Sequence, residues 1–148
     1  MPVYQCVTAG IDLTEDQRDR IAHGITEIHH EETEAPEPFI RVAFTPLPQG
    51  LMYTAGKVES SVIISGGIRY GRSEVTRKNI LRRLHELVIE VIGVPIDQVV
   101  VVASDVPNGW ILEAGLPMPE PTPEAEAAWD AELRKLLPER YAAAGKYK

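Results

Sequence analysis

The feature that most limits how this chain can fold is a displacement of 59 residues that recurs along it. Thr14 and Ser73 each stand where a helix would be capped, Pro36 and Pro95 each follow a helix end, and Pro48 and Pro107 each close the next strand; every pair is 59 apart. Three landmarks at one offset mark an internal duplication. In the first copy "PVYQCVT" alternates as a strand does. "LTEDQ" then offers a capping box, Thr14 with Gln17 three residues on. A helix to about Glu32 follows, with Ile21, Ile25 and Ile28 on its buried face, and "FIRVAF" is the second strand. In the second copy "SVIISGGI" is a strand and Ser73 caps a helix whose stripe is Ile80, Leu84, Leu87, Val88 and Val91. Gly93 and Pro95 stop that helix, and "QVVVVAS" follows as a strand too apolar to have a wet face.

Two β-α-β units with right-handed crossovers predict an α/β fold in layered α+β form: a four-stranded mixed sheet with two helices on one face and a C-terminal helical tail. The expected organisation is a single domain over 1–148, with repeat 1 at about 2–48, repeat 2 at about 61–107 and the tail at about 116–148. "LMYTAGKVES" between the units reads as a loop or short hairpin, and "NGWILEAG" as a turn with one more short strand. The tail helix begins at about Pro123 and makes its contacts through Trp129, Leu133 and Leu136.

The chain is acidic, with a formal net charge of −7 and a pI near 5.1. That balance argues against nucleic acid and against an anionic membrane as partners. No stretch approaches the ~18 apolar residues of a membrane span, and the first ten residues lack the features of a signal peptide, so a cytoplasmic location is expected. The one cysteine, Cys6, excludes an intramolecular disulfide and reads as a small buried hydrophobe.

Against that acidity, "GGIRYGRSE" holds two cations, Arg69 and Arg72, in a turn for which Gly71 and Ser73 already supply the positive φ and the cap. Two guanidiniums beside a helix start make a forked site for a carboxylate or phosphate. The plain alternative is surface pairing with acids such as Glu74. Gly66 and Gly67 tilt the balance towards function, because a strand glycine allows close approach of a ligand. The corresponding stretch of the first unit, "TAGIDLTED", has no arginine.

Other residues could carry chemistry. Pro2 would hold a free secondary amine if Met1 were removed, and such an amine can act as general base or general acid near neutral pH; otherwise it merely starts an edge strand. His29 stands four beyond Ile25, at the edge of the core face, where a satisfied half-buried histidine is the ordinary reading. His23, Glu27 and His30 share a helix face, but nothing further suggests a metal, and none is expected. Glu113 is the one acid in the apolar stretch "GWILEAG", placed either on a wet face or in a desolvating pocket.

Taken together, "PVY" at the start, "ITEIHH" (compare "ITDAHR" or "ITDAHH"), "IRYGRS" (compare "HREGRS" or "IRSGRT") and "EAGL" (compare "EYGR") make the chain resemble the tautomerase superfamily, and within it the cis-3-chloroacrylic acid dehalogenase group. The resemblance implies Pro2 as the catalytic amine. It implies Arg69, Arg72 and His29 as residues that bind the substrate carboxylate, and Glu113 as the acid that positions water. It further implies a homotrimer, a small carboxylate substrate and no cofactor. Val102 stands where that group has a tyrosine, and Ala114 where it has another. The expected activity is therefore tautomerase chemistry on a small carboxylate-bearing enol, keto or unsaturated acid. Hydratase or dehalogenase action on cis-3-haloacrylate-like acids is the alternative. A non-catalytic ferredoxin-like ligand-binding module, with the same β-α-β-β-α-β order, or a degenerate relative without catalysis, would need no free amine.

Overall fold

A computed structural model of the chain describes residues 2–144; Met1 and the last four residues of the expected tail lie outside the described residues. Strand β1 (Val3–Ala9) leads into helix α1 (Glu15–Thr33) and strand β2 (Arg41–Leu47). After two short strands, β3 (Tyr53–Thr54) and β4 (Lys57–Val58), the pattern returns as β5 (Ser61–Arg69), α2 (Glu74–Ile92) and β6 (Val99–Val106). Strands β7 (Leu112–Glu113) and β8 (Leu116–Pro117) precede the helices α3 (Pro123–Leu136) and α4 (Pro138–Ala144).

The caps are those the sequence predicts. Thr14 Oγ1 accepts from Gln17 N at 3.1 Å while Gln17 Oε1 accepts from Thr14 N at 3.0 Å, and Ser73 Oγ accepts from Thr76 N at 3.1 Å. Both long helices end on a left-handed residue, Glu34 at φ 58° and Gly93 at φ 76°. The offset reaches further than the sequence landmarks. Hairpins β3–β4 and β7–β8 turn through Ala55-Gly56 and Ala114-Gly115, 59 residues apart, and all four residues have positive φ, as two-residue hairpin turns of type I′ require. "NGWILEAG" therefore holds a 3-10 turn and the first strand of a hairpin.

The sheet has the order β2-β1-β5-β6. Each outer strand runs parallel to its own unit's first strand, while β1 and β5 pair antiparallel at the centre, Val3 opposite Gly67 and Cys6 opposite Ile64. Alternate residues Tyr4, Cys6, Val62, Ile64 and Ile68 meet Ile21, Ile25, Ile28, Ile80, Leu84 and Val88 of the two helices in the main core. Fully burying each such aliphatic side chain is worth roughly 1.5–3 kcal/mol. A second core forms where Phe39, Ile111 and Met118 meet Trp129 and Leu133 of α3. Leu136, expected among the tail's contacts, is half exposed; the chain turns at Pro138, and Leu137 packs instead.

Among the described residues the opposite face of the sheet is uncovered. Val100 and Val102 are 48% and 49% exposed, although "QVVVVAS" reads as a strand with no wet face. Apolar pattern reports that a face is to be covered, and both helices lie on the other one. Among the described residues, no helix is long and apolar enough to cross a membrane.

Candidate functional site

Antiparallel pairing at the sheet centre sets the start of β1 against the end of β5. With Val3 opposite Gly67, the register continues to put Pro2 beside Ile68, one residue short of Arg69. Helix α1 descends from the far edge and delivers His29 and Thr33 to this same edge, while α2 begins here and brings Arg72. The topology thus gathers residues 2, 29, 69 and 72 from both units at one end of the sheet.

Arg69, Arg72 and His29 line one cavity of about 330 Å³, with Thr33, Glu126 and Trp129. Arg72 Nη1 donates to the carbonyl of Thr33 at 2.9 Å, tying the start of α2 to the end of α1. Burial lowers the Arg72 pKa, and Glu34 draws it partly back. Arg69 is buried; that burial, helped by the like charge of Arg72 and opposed by Glu120, pushes its pKa down to about 10. It remains a cation at neutral pH. Its Nη2 forms an ion pair with Glu126, but neither Nη2 nor Nε has a well-formed hydrogen bond, and the buried Trp129 indole N–H also lacks an acceptor. Buried donors without acceptors are costly, of order 1–3 kcal/mol each, unless a ligand completes them. Glu74, the acid expected to compete for the arginines, pairs instead with Lys78 at 2.7 Å.

His29 is fully inside rather than at the edge of the core face. Its Nδ1 lies 2.8 Å from the Tyr4 hydroxyl, and the two rings meet edge to face. Burial pushes the Tyr4 phenol far up and the imidazole down to about 3, with the charge of Arg72 adding to the latter. Tyr4 therefore keeps its proton, and Nδ1 is its partner among the described residues. The phenol O–H donates to Nδ1, which places the imidazole proton on Nε2. A neutral imidazole with a fixed N–H is a hydrogen-bond donor, not a charge.

Gly66 serves a different purpose from the one expected of it. A Cβ there would lie 2.3 Å from Tyr4 Cε1 and 2.5 Å from Cδ1. The glycine makes room for the Tyr4 ring, and Gly66 and Gly67 together also line a cavity of about 330 Å³ on the sheet with Val3, Gln5 and Val102.

Pro2 is fully buried, and its carbonyl accepts from Arg41 N at 3.1 Å. Arg41 in turn holds Glu113 with two parallel bonds, Nη1 to Oε2 and Nη2 to Oε1, both 2.8 Å. Glu113 is buried, so it is not on a wet face. That hydrogen bond, opposed by partial burial, raises the Arg41 pKa. Neither Pro2 nor Glu113 lines the cavity of the arginines; both stand at its edge of the sheet, joined through the backbone and side chain of Arg41. A larger groove, about 750 Å³ between α1 and α4, holds none of Pro2, His29, Arg69, Arg72 and Glu113, but is lined by His23, Glu27 and His30, the helix face considered and set aside for a metal.

A family model, Tautomerase_3, described as "Putative oxalocrotonate tautomerase enzyme", matches residues 1–134. The chain belongs to this tautomerase family. The tautomerase chain is 40% identical to native Ps01740, a solved structure superposing with a TM-score of 0.73 over 75% of this chain and 99% of that one. It is 26% identical to N1, a member of the cis-3-chloroacrylic acid dehalogenase (cis-CaaD) family, with a TM-score of 0.85 over 95% of this chain and 99% of that one. A fused 4-OT wild-type asymmetric trimer shares the fold at 19% identity and a TM-score of 0.72, over 78% and 94% of the two chains. Among curated proteins none matches the tautomerase chain.

Sequence reasoning did not single out Tyr4, Arg41 or Glu126. Tyr4 had a signal: a phenol on the inward side of a strand, in phase with Cys6, must find a polar partner. Arg41, exposed at a strand start, and Glu126, one of many acids in the tail, had none.

Proposed function

We propose that this protein is an acid–base catalyst that moves a proton on a small carboxylate-bearing enol, keto or unsaturated acid, with Pro2 as the proton carrier after removal of Met1. The observation that carries this reading is the cavity at the same end of the sheet as Pro2, where Arg69, Arg72 and His29 converge and two buried side chains, Arg69 and Trp129, hold donors in need of acceptors. Arg69 and Arg72 bind the substrate carboxylate. The Nε2–H of His29 donates to a carboxylate or carbonyl oxygen. Neutral Pro2 nitrogen takes a proton from carbon or from an enol hydroxyl, the resulting enolate charge rests against the guanidiniums, and the prolinium returns the proton to the other position. Each turnover leaves the amine as it began, with no cofactor in the balance.

Whether Pro2 serves as base or acid depends on its neighbours. Two guanidiniums favour the neutral amine, and the carboxylate that would oppose them, Glu113, is matched by Arg41 on both oxygens. The balance favours the base and hence tautomerisation. Similarity to a cis-CaaD family member supports a second reading, hydration or dehalogenation of a cis-3-haloacrylate-like acid, in which prolinium protonates one carbon and Glu113 directs water to the other. That chemistry needs Glu113 to exchange a bond with Arg41 for one with water, and it lacks the tyrosine at Val102.

The assembly proposed is a homotrimer. The bare sheet face with Val100 and Val102, together with Trp110 at 82% exposure, supports burial against other copies. Mass spectrometry of the purified protein tests for loss of Met1. Ketonisation of phenylenolpyruvate is expected to exceed hydrolysis of cis-3-chloroacrylate, and Pro2→Ala is expected to lower ketonisation by about 10²–10⁴-fold. Retained Met1, or a Pro2→Ala variant of full activity, removes the proline mechanism and leaves the binding module. Dehalogenation exceeding ketonisation selects the second reading, and Val102→Tyr is expected to raise it.

A further inference from the structure

The anion site already contains a carboxylate of the protein's own. Glu126, in the first turn of α3, reaches Arg69 Nη2 from a side chain that is 40% exposed, whereas the arginine is almost wholly buried. The pairing is one-sided. One Glu126 oxygen meets Nη2, and Nε of the same buried guanidinium has no acceptor. Arg41 and Glu113 show the contrasting case in this molecule, with both oxygens on both nitrogens at 2.8 Å. A carboxylate free to choose its position spans two N–H groups of a guanidinium. Glu126 is not free, because Trp129 and Leu133, three and seven residues along α3, fix that helix in the second core.

We propose that Glu126 is a built-in competitor for the substrate carboxylate: it occupies Arg69 in the empty site and is displaced by an incoming carboxylate that spans Nε and Nη2 together. The inference rests on reading Arg69 and Arg72 as an anion clamp. In the empty site Glu126 adds to the charge of Glu120 a carboxylate in direct contact with the buried cation, which would otherwise be left without a paired acceptor at considerable cost. On binding, one carboxylate replaces another on Arg69, and the released side chain is already close enough to solvent to be hydrated there. The exchange sets a threshold. A planar carboxylate completes Nε and wins, while a halide, which offers one point of contact, gains nothing over Glu126. Arg72, held by the Thr33 carbonyl, is not engaged by Glu126 and meets the incoming anion first.

Acrylate, a three-carbon monocarboxylate, is the probe, with acrylamide as its neutral control and binding measured by calorimetry on the full chain. Glu126→Gln is expected to tighten acrylate up to about fivefold, the order expected from deleting one competing, part-exposed ion pair, with no change for acrylamide. Arg69→Ala is expected to weaken acrylate by more than tenfold and to abolish the effect of Glu126→Gln in the double variant. Glu126→Asp, which keeps the charge and shortens its reach, gives an intermediate tightening and covers the case in which Glu126→Gln folds poorly. If Arg69→Ala weakens acrylate while neither Glu126 variant tightens it, the competitor is refuted and the clamp stands. If acrylate binds wild type and Arg69→Ala equally, or binds neither, the clamp itself fails and takes the competitor with it.

Discussion

Gly66→Ala tests the structural reading of the glycine turn more sharply than any change to an arginine. In an ordinary strand the substitution would be neutral to stabilising by roughly 0.5–1 kcal/mol, since glycine loses more freedom on folding. Here the new Cβ would sit 2.3 Å from Tyr4 Cε1 and 2.5 Å from Cδ1. Normal contact requires a displacement of more than 1 Å, and the ring is held between the sheet and α1 at 1% exposure. Moving it stretches the 2.8 Å bond to His29 Nδ1 past hydrogen-bond range. Overpacking costs about 1–3 kcal/mol, and an orphaned buried Nδ1 about 1–3 more. Offset by the backbone gain, the net loss is about 3 kcal/mol.

The same arithmetic predicts a strong coupling. Tyr4→Ala alone empties a buried ring site and costs about 3–5 kcal/mol. Adding Gly66→Ala to it removes the clash entirely, so the second change becomes neutral or gains up to about 1 kcal/mol. The double variant is therefore expected to be at least as stable as Tyr4→Ala, with a coupling energy near 3 kcal/mol. Urea unfolding of the four proteins at one fixed protein concentration measures it, the fixed concentration removing any contribution from association. A Gly66→Ala variant of wild-type stability that fails to bind acrylate would refute the packing argument and restore the glycine to a ligand role. Equal destabilisation in both backgrounds would refute it too, by placing the clash elsewhere.

Two further predictions concern the buried polar groups. His29 has a folded pKa of about 3 against an unfolded value near 6.5, so between those limits the unfolded chain binds the extra proton. Its contribution is complete above pH 6.5 and is lost as pH falls towards 3, by at most about 1.4 kcal/mol per pH unit; denaturant titrations from pH 7 to 4 should show that steepness in wild type and a flatter profile in His29→Gln. Equal profiles would mean the imidazole is charged in the folded state. Arg41→Ala leaves the buried Glu113 carboxylate without its partner, at a cost of about 1–3 kcal/mol after allowing for the exposure of the arginine. In a Glu113→Gln background the same change should cost under about 1 kcal/mol, and additive losses in a thermal-unfolding cycle would show that the pair is not coupled.

The elements of this fold were legible because each is specified locally. Thr14 with Gln17, the isoleucines at offsets four and three, and Ser73 before α2 act within a single helix and appear in the sequence as they appear in space. The cavity was legible in part. Arg69, Arg72 and His29 were recognisable as candidates, but their meeting depends on the antiparallel join of β1 and β5, which no local pattern states. Glu113 was ambiguous because its burial comes from Arg41, 72 residues away, and from the hairpin over the second core. Val102 misled for the opposite reason. Its neighbours are apolar as in a covered strand, yet no cover for it comes from the described residues.

Duplication should produce two equivalent edges, and the chain itself shows why only one could carry the proposed chemistry. The offset of 59 carries Pro2 to Ser61, Tyr4 to Ile63, His29 to Val88, Arg69 to Gly10 and Arg72 to Leu13. The proposed mechanism needs a backbone amine, and Ser61, joined by peptide bonds on both sides, cannot supply one. Without a proton carrier, cations at the twin edge would be buried charges with no task. That edge is closed instead. Gly10 adopts a φ of +65°, and a Cβ there would lie 2.1 Å from Gln49 Oε1, so the space that Arg69 would need is filled by the loop after β2. In the second unit the polar residues stand at the opposite end, as Arg69 and Arg72. The two units share one backbone and differ in these polar residues, and on the proposed reading a single site would draw Pro2 from the first unit and Arg69 and Arg72 from the second.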